Sequence, residues 1–187
     1  MQLPQPRIIT KRLLLRLGSQ EDIPAIIKYY TDNKAYLTPF YPAWSESFFT
    51  EAYWDSEVER AIREFTQGQS LRLIIFSRTE YTIIGVINFG TFIWSAAQFC
   101  TVGYSLAEKD QGKGYMTEAL QASIDYVFEE LNMHRIMANY MPHNQSSGNL
   151  LKRLGFVVEG YARDYLLINN RWEDHILTSL TNPGWKN

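Results

Sequence analysis

The 187-residue sequence predicts an α/β (α+β) fold: a single domain, 1–187, on a mixed central sheet of about seven strands with about four helices. Three observations predict it. Runs of β-branched and aromatic residues cluster between positions 72 and 106 and return after 156. Apolar residues at helical spacing separate the clusters, most clearly from Tyr115 to Leu131. No linker, internal repeat or low-complexity stretch divides the chain.

Arg12 to Leu17 reads as a first strand with polar ends. Ser19 follows as a helix N-cap, with Asp22 in the capping-box position, and Ile23, Ile26, Ile27 and Tyr30 recur at helical spacing. Pro39 and Pro42 then break the chain within an aromatic loop holding Tyr36, Phe40, Tyr41 and Trp44. A second helical stretch runs from about Ser47 to Gln67. Strands are expected at Arg72–Ser77, Thr82–Phe92 and Gln98–Leu106. The Tyr115–Leu131 helix, a strand at Arg135–Tyr140 and a helix at Asn144–Leu154 come next. Two terminal strands, near Phe156–Ile168 and Trp172–Leu180, flank a turn at Asn169-Asn170.

Composition narrows the function classes. The chain is 45% hydrophobic and 14% aromatic, enough for a sizeable core. A net charge of −2 gives no whole-protein attraction to nucleic acid or anionic membrane. A single cysteine, Cys100, excludes an intramolecular disulfide and fits a reducing compartment. Basic residues interrupt every apolar run from Met1 to Leu17, so no signal-peptide core is expected, nor a membrane-spanning helix anywhere. A cytoplasmic protein follows as the expectation. His134, His143 and His175 lack metal-site spacing, so no metal is expected.

The loop Lys109 to Gly114 joins a strand to the long helix. Gly112 and Gly114 lack a Cβ, so backbone N–H groups can approach a ligand closely. The helix behind them begins with unpaired N–H groups and a positive dipole end. Together they make an anion site suited to a pyrophosphate, and Lys113 adds charge. The letters fail a P-loop, because Gly114 follows Gly112-Lys113 and Ala107 stands where the first glycine belongs. They fail a dinucleotide fingerprint, because Thr117 occupies the third glycine position. A tight turn before a helix is the competing reading.

Gln111-Gly112-Lys113-Gly114-Tyr115-Met116 resembles the Gln/Arg-x-x-Gly-x-Gly/Ala signature of the GNAT superfamily of N-acetyltransferases. Met116 replaces the small last residue, as in the subgroup that acetylates ribosomal-protein alanines. The segment Asn139 to Phe156, with Asn144, Ser147 and Gly155-Phe156, is similar to the superfamily's Asn-x-x-Ser-x-x-Leu…Gly-Phe stretch. His134 to Asn144 and Glu159-Gly160-Tyr161 resemble the RimJ/RimL-type enzymes of that subgroup. The likeness runs from Thr10 to His175.

The resemblance implies the GNAT acyl-CoA N-acyltransferase fold, acetyl-CoA as cofactor, and direct attack of an amine on the thioester. Coenzyme A would lie where the strands ending near Leu106 and Tyr140 splay apart. Backbone N–H groups of Tyr104, Ser105 and Leu106 would meet the acetyl carbonyl and pantetheine. Gln111, Gly112, Lys113, Gly114, Tyr115 and Met116 would hold the pyrophosphate, with Asn139, Asn144 and Arg153 along the cofactor. Glu159 is the expected general base and Ser147 the acid or thiolate donor. Competing readings are a solvated strand carboxylate and a helix-surface serine; Asn144 can also cap its helix. Tyr36, Phe40, Tyr41, Trp44 and Tyr165 would wall the acceptor groove, or the aromatic loop would form a satellite core. The expected acceptor is the N-terminal amine of a ribosomal protein, with alanine first. A small amine such as a polyamine, antibiotic or amino acid is the alternative, as is a non-catalytic coenzyme A-binding module. Oligomeric state does not follow from the sequence.

Overall fold

The structure, a computed structural model, describes residues 4–186. Met1 to Leu3, the start of the amino-terminal segment read above, and Asn187 lie outside the described residues. The chain opens with β1 (Arg7–Ile9) and β2 (Leu13–Arg16), followed by α1 (Ile23–Asp32) and the short α2 (Lys34–Leu37). After the proline loop come α3 (Glu51–Thr66), β3 (Leu71–Ser77), β4 (Ile83–Ile93) and β5 (Phe99–Leu106). Then follow α4 (Tyr115–Glu129), β6 (Arg135–Tyr140), α5 (Gln145–Arg153), β7 (Val157–Ile168) and β8 (Arg171–Thr181).

The eight strands form one sheet in the order β1-β2-β3-β4-β5-β6-β8-β7. Every neighbouring pair is antiparallel except β5 with β6. The expected seven strands become eight because three residues, Arg7–Ile9, pair with β2. That run is too short to show an alternating pattern in the letters. The fifth helix, α2, is one turn between Asn33 and Thr38. The expected 47–67 helix starts late. Glu46–Phe49 is a 3₁₀ turn, and α3 begins after Thr50, whose Oγ1 accepts from the Tyr53 N–H at 3.3 Å.

Two cores cover the two sheet faces. Against one face, Ala119, Leu120, Ile124 and Val127 of α4 pack with Leu13, Leu15, Leu73, Ile75, Ile87 and Ile136. Against the other, Ile26 and Tyr30 of α1 and Val58 of α3 pack on Ile74, Phe76 and Val86. The central strand β3 is buried on both faces, which accounts for its near-continuous apolar letters.

Strands β5 and β6 pair only at Phe99–Arg135, Cys100–Ile136 and Thr101–Met137. Beyond Thr101, β5 stays bonded to β4 as far as Leu106, and β6 to β8 as far as Tyr140. The two strands therefore part in the middle of the sheet. The β7–β8 hairpin turns at Asn169 and Asn170, with φ of 44° and 64°. Its tip reaches back across the sheet, where the Asn169 N–H donates to Tyr41 O at 2.9 Å.

Asn tolerates a positive φ and a β-branched residue does not. Asn170→Val should cost about 1–2 kcal/mol in urea unfolding, and Asn170→Gly should be close to neutral.

Candidate active site

Alternation along the two parting strands sorts their side chains. Cys100, Val102 and Leu106 of β5 and Ile136 and Ala138 of β6 enter the core beneath α4, with Tyr104 and Tyr140 packed against it. Gly103, Ser105, Met137 and Asn139 therefore face the other side, toward α1 and the proline loop. Ala107 N–H donates to Ile84 O of β4 at 2.7 Å. By the same alternation the N–H groups of Tyr104 and Leu106 point to the opposite edge, into the gap. The gap thus offers backbone donors that no strand uses.

A cavity of about 540 Å³ opens onto the gap beneath α4 and α5. It brings together Tyr104, Ser105, Leu106, Gln111, Gly112, Gly114, Tyr115, Met116, Asn144, Ser147 and Arg153. Thr117, Ser146, Leu150, Leu37, Tyr36 and Phe40 complete it. Gly112 and Gly114 have φ of 71° and 76°, and a Cβ on Gly112 would meet open space. Gly114 ends the loop in the left-handed region, so the α4 N–H groups of Tyr115, Met116 and Thr117 open toward the cavity. The Met116 side chain turns into the core, 8% exposed, which is compatible with a large residue at the end of the signature.

The loop is held from the first strands. Arg12 donates to Lys113 O at 2.9 Å, pairs with Glu118 at 2.6 Å and lies over the Tyr115 ring at 4.4 Å. Thr10 also donates to Glu118, at 2.6 Å. Burial raises the Glu118 pKa, but the bonds from Thr10 and Arg12 outweigh it and hold the carboxyl below its ordinary value. Sequence reasoning missed this brace because its members are 106 residues apart. Thr117 was within reach, since the third residue of a helix behind a glycine loop presents a free N–H.

Lys113 behaves otherwise than expected. It does not line the cavity, and its ammonium binds Asp110 at 3.0 Å. Arg153 does line the cavity and forms no ion pair among the described residues. The cationic group available to an anion is therefore on α5. Asn144 caps that helix, its Oδ1 accepting the Ser147 N–H at 3.2 Å, while also lining the cavity.

Ser147 Oγ and Tyr104 OH are hydrogen-bonded at 2.8 Å, bridging α5 to β5 beside the gap. Burial pushes the Tyr104 phenol up to about 12, with the Ser147 bond opposing. The pair is a protonated donor at neutral pH. Helix α5 sits close enough for this because residue 148 is Gly: a Cβ there would fall 2.7 Å from the Tyr140 ring.

Glu159 is not brought to the cavity. It lies exposed on β7 and pairs with Arg135, at the far end of β6 from the gap. The Arg135 guanidinium, with the Ser179 hydroxyl, holds its carboxyl below the ordinary carboxylate value. Asn139 does not line the cavity either; it stands on the opposite sheet face and donates to Tyr165 OH at 3.3 Å. Of the aromatic loop, Tyr36 and Phe40 line the cavity. Tyr41 donates to Ser105 Oγ at 2.7 Å, and Tyr29 OH bonds the same atom at 2.9 Å. Trp44 packs among Tyr30, Phe48 and Phe49, as a satellite-core residue would.

An anion cradle on a helix N-terminus, unpaired strand donors and a hydroxyl pair, arrayed along one gap, form the site of an acyl-CoA-dependent transferase. The Acetyltransferase (GNAT) domain family matches residues 12–157, and the chain belongs to it. An Escherichia coli (strain K12) relative, ribosomal protein uS5-alanine N-acetyltransferase, is 44% identical over 182 residues, covering 97% of this chain and 94% of the relative. The solved ribosomal-protein-S5-alanine acetyltransferase from Vibrio fischeri superposes with a TM-score of 0.93 at 36% identity, covering 97% of this chain and all of that one. Mycobacterium smegmatis RimJ, solved with a CoA-disulfide, gives 0.85 at 25% identity, covering 96% and 86%.

The chain is an acetyl-CoA-dependent N-acetyltransferase. The residues present fit that cofactor: Gly112 and Gly114 form a cradle that side chains would fill or strain, and Arg153, without an ion pair among the described residues, lines the same cavity. Acetyl-CoA supplies the activated acetyl group. The Tyr104 and Leu106 N–H groups face the gap, in a position to donate to a carbonyl oxygen there.

Gly114→Val should weaken acetyl-CoA binding at least about tenfold in calorimetry, because valine resists a φ of 76°. Arg153→Ala should weaken it about tenfold or more and Lys113→Ala less than about threefold, reversing the order expected from charge near the loop alone.

Proposed function

We propose that the protein acetylates the N-terminal α-amine of a ribosomal protein, alanine first, by direct attack on acetyl-CoA. The observation that carries the reading is the want of free carboxylates beside the gap. Among the described residues no Asp or Glu lines the 540 Å³ cavity, and Ser105, Tyr29, Tyr41, Asn139 and Tyr165 bring hydroxyls and an amide to the opposite face. A polyamine carries several positive charges and calls for carboxylates. Glu46, Glu51 and Asp55, which follow the aromatic loop, are exposed and do not line the cavity; a second cavity, against α1 and α3, is lined by Glu57, which Arg60 and Arg72 pair. The uS5-alanine acetyltransferase relative supports the acceptor. A ribosomal acceptor places the reaction in the cytoplasm.

An α-amine has a pKa of about 8, so a useful fraction is neutral near pH 7.5 without a strong base. The amine's proton then leaves to solvent on the acceptor side, and Tyr104 and Ser147 donate to the departing thiolate. Glu159, tied to Arg135, is not needed for either transfer.

A panel of Ala-initiated peptides, N-blocked Lys peptides and polyamines, read by thiol release, tests the acceptor. Transfer to the free alanine amine alone is expected; transfer only to polyamines overturns the reading. With the preferred peptide, kcat/KM should rise with pH through about 8, the amine's own pKa. Glu159→Gln should keep turnover within about threefold with the same profile; a fall of a hundredfold would restore Glu159 as the base. Ser147→Ala should lower kcat about tenfold or more while leaving the acetyl-CoA affinity near its original value.

A further inference from the structure

We propose that the Asn139 side-chain oxygen holds the acceptor amine, on the sheet face opposite the cofactor cavity. The proposal rests on the acetyltransferase reading above and adds the group that receives the amine. Asn139 lies on β6 two residues beyond Met137, the last residue paired to β5. On β5 the residue at the same level is Gly103, two beyond Thr101. The two flank the point where the strands part.

The Asn139 amide is fixed at one end and open at the other. Its Nδ2 donates to Tyr165 OH at 3.3 Å, which orients the group. Its Oδ1 is buried and has no hydrogen-bond partner among the described residues. A buried acceptor left bare is costly, so this atom calls for an N–H donor from outside the chain. Space for the donor lies across the gap, where a Cβ on Gly103 would meet nothing within 4 Å. The far side of that space is walled by Ser105 with Tyr29 and Tyr41, and the Asn169–Tyr41 bond crosses above.

The chemistry of the carboxamide suits a nucleophilic nitrogen. It accepts an N–H without carrying charge, so it does not favour ammonium over amine. A carboxylate at the same place would raise the amine's pKa and occupy its lone pair with a proton. The titratable groups around Asn139 are Tyr165 and His175 on the hairpin, Tyr41 across the gap, and the Arg135–Glu159 pair further down the face. Burial raises the Tyr41 phenol above its ordinary value, and the Arg135–Glu159 charges pair with each other.

Two variants of the full chain test the proposal. Asn139→Leu removes the acceptor atom at similar volume. Its KM for an Ala-initiated peptide should rise about 10- to 100-fold, with the acetyl-CoA KM unchanged. Asn139→Asp should keep the peptide KM low but move the kcat/KM profile to higher pH. Binding of a conjugate that joins coenzyme A through an acetyl group to the peptide's α-nitrogen gives a readout free of turnover. Wild type should bind it tighter than coenzyme A, and Asn139→Leu should lose that advantage. If wild type binds the conjugate no tighter than coenzyme A, the N-terminal acceptor reading fails and this proposal with it. If wild type gains and Asn139→Leu gains equally, or if its peptide KM is unchanged, only the role of Asn139 is overturned. A profile for Asn139→Asp that superposes on wild type also overturns it.

Discussion

Three residue pairs join β5 to β6, and then the strands separate. The rest of the architecture depends on that early parting. A sheet opened at its middle leaves backbone donors and acceptors inside the molecule, and such groups are expensive unless something bonds them. Here each strand is secured on its outer edge, β5 by β4 and β6 by β8, so the opening persists without unravelling the sheet. What enters must bring its own hydrogen-bonding groups. A pantetheine chain with its amides does so, and an acetyl oxygen does so where charge develops.

Charge is distributed unevenly about the gap. On the cofactor side, basic and acidic groups cancel in pairs, Arg12 with Glu118 and Lys113 with Asp110, and these pairs shape the loop. Arg153 remains uncompensated on α5, and with the α4 N-terminus it offers positive potential to phosphate. On the opposite sheet face, Ser105, Tyr29, Tyr41, Asn139 and Tyr165 bring hydroxyl and amide groups beside the gap. Positive surroundings serve a polyanion. Neutral ones serve a nitrogen that must shed a proton before it can react.

Much of this was legible in the sequence where the information is local. The glycine loop, the helix behind it and the Asn144 cap each occupy a few consecutive residues, and they form where the letters place them. The Asn169-Asn170 turn was readable for the same reason. What was not legible depends on strand facing and on partners distant in sequence. Lys113 is the local exception: it looked like the phosphate cation, and Asp110, three residues earlier, takes it. Asn139 looked like a cofactor residue, but its side of β6 is set by the pairing with β8. Glu159 matched a motif, yet Arg135, 24 residues away, holds it. The short first strand carried too few residues to announce itself.

The hydrogen bond from the hairpin tip to the proline loop has a topological result. Tyr41 follows the first proline of that loop and Asn169 stands at the hairpin tip, so their backbone bond joins segments far apart in the chain. Such a tie makes the position of each segment depend on the other. A disturbance of the Asn169-Asn170 turn is therefore felt at Ser105, which the Tyr41 hydroxyl holds.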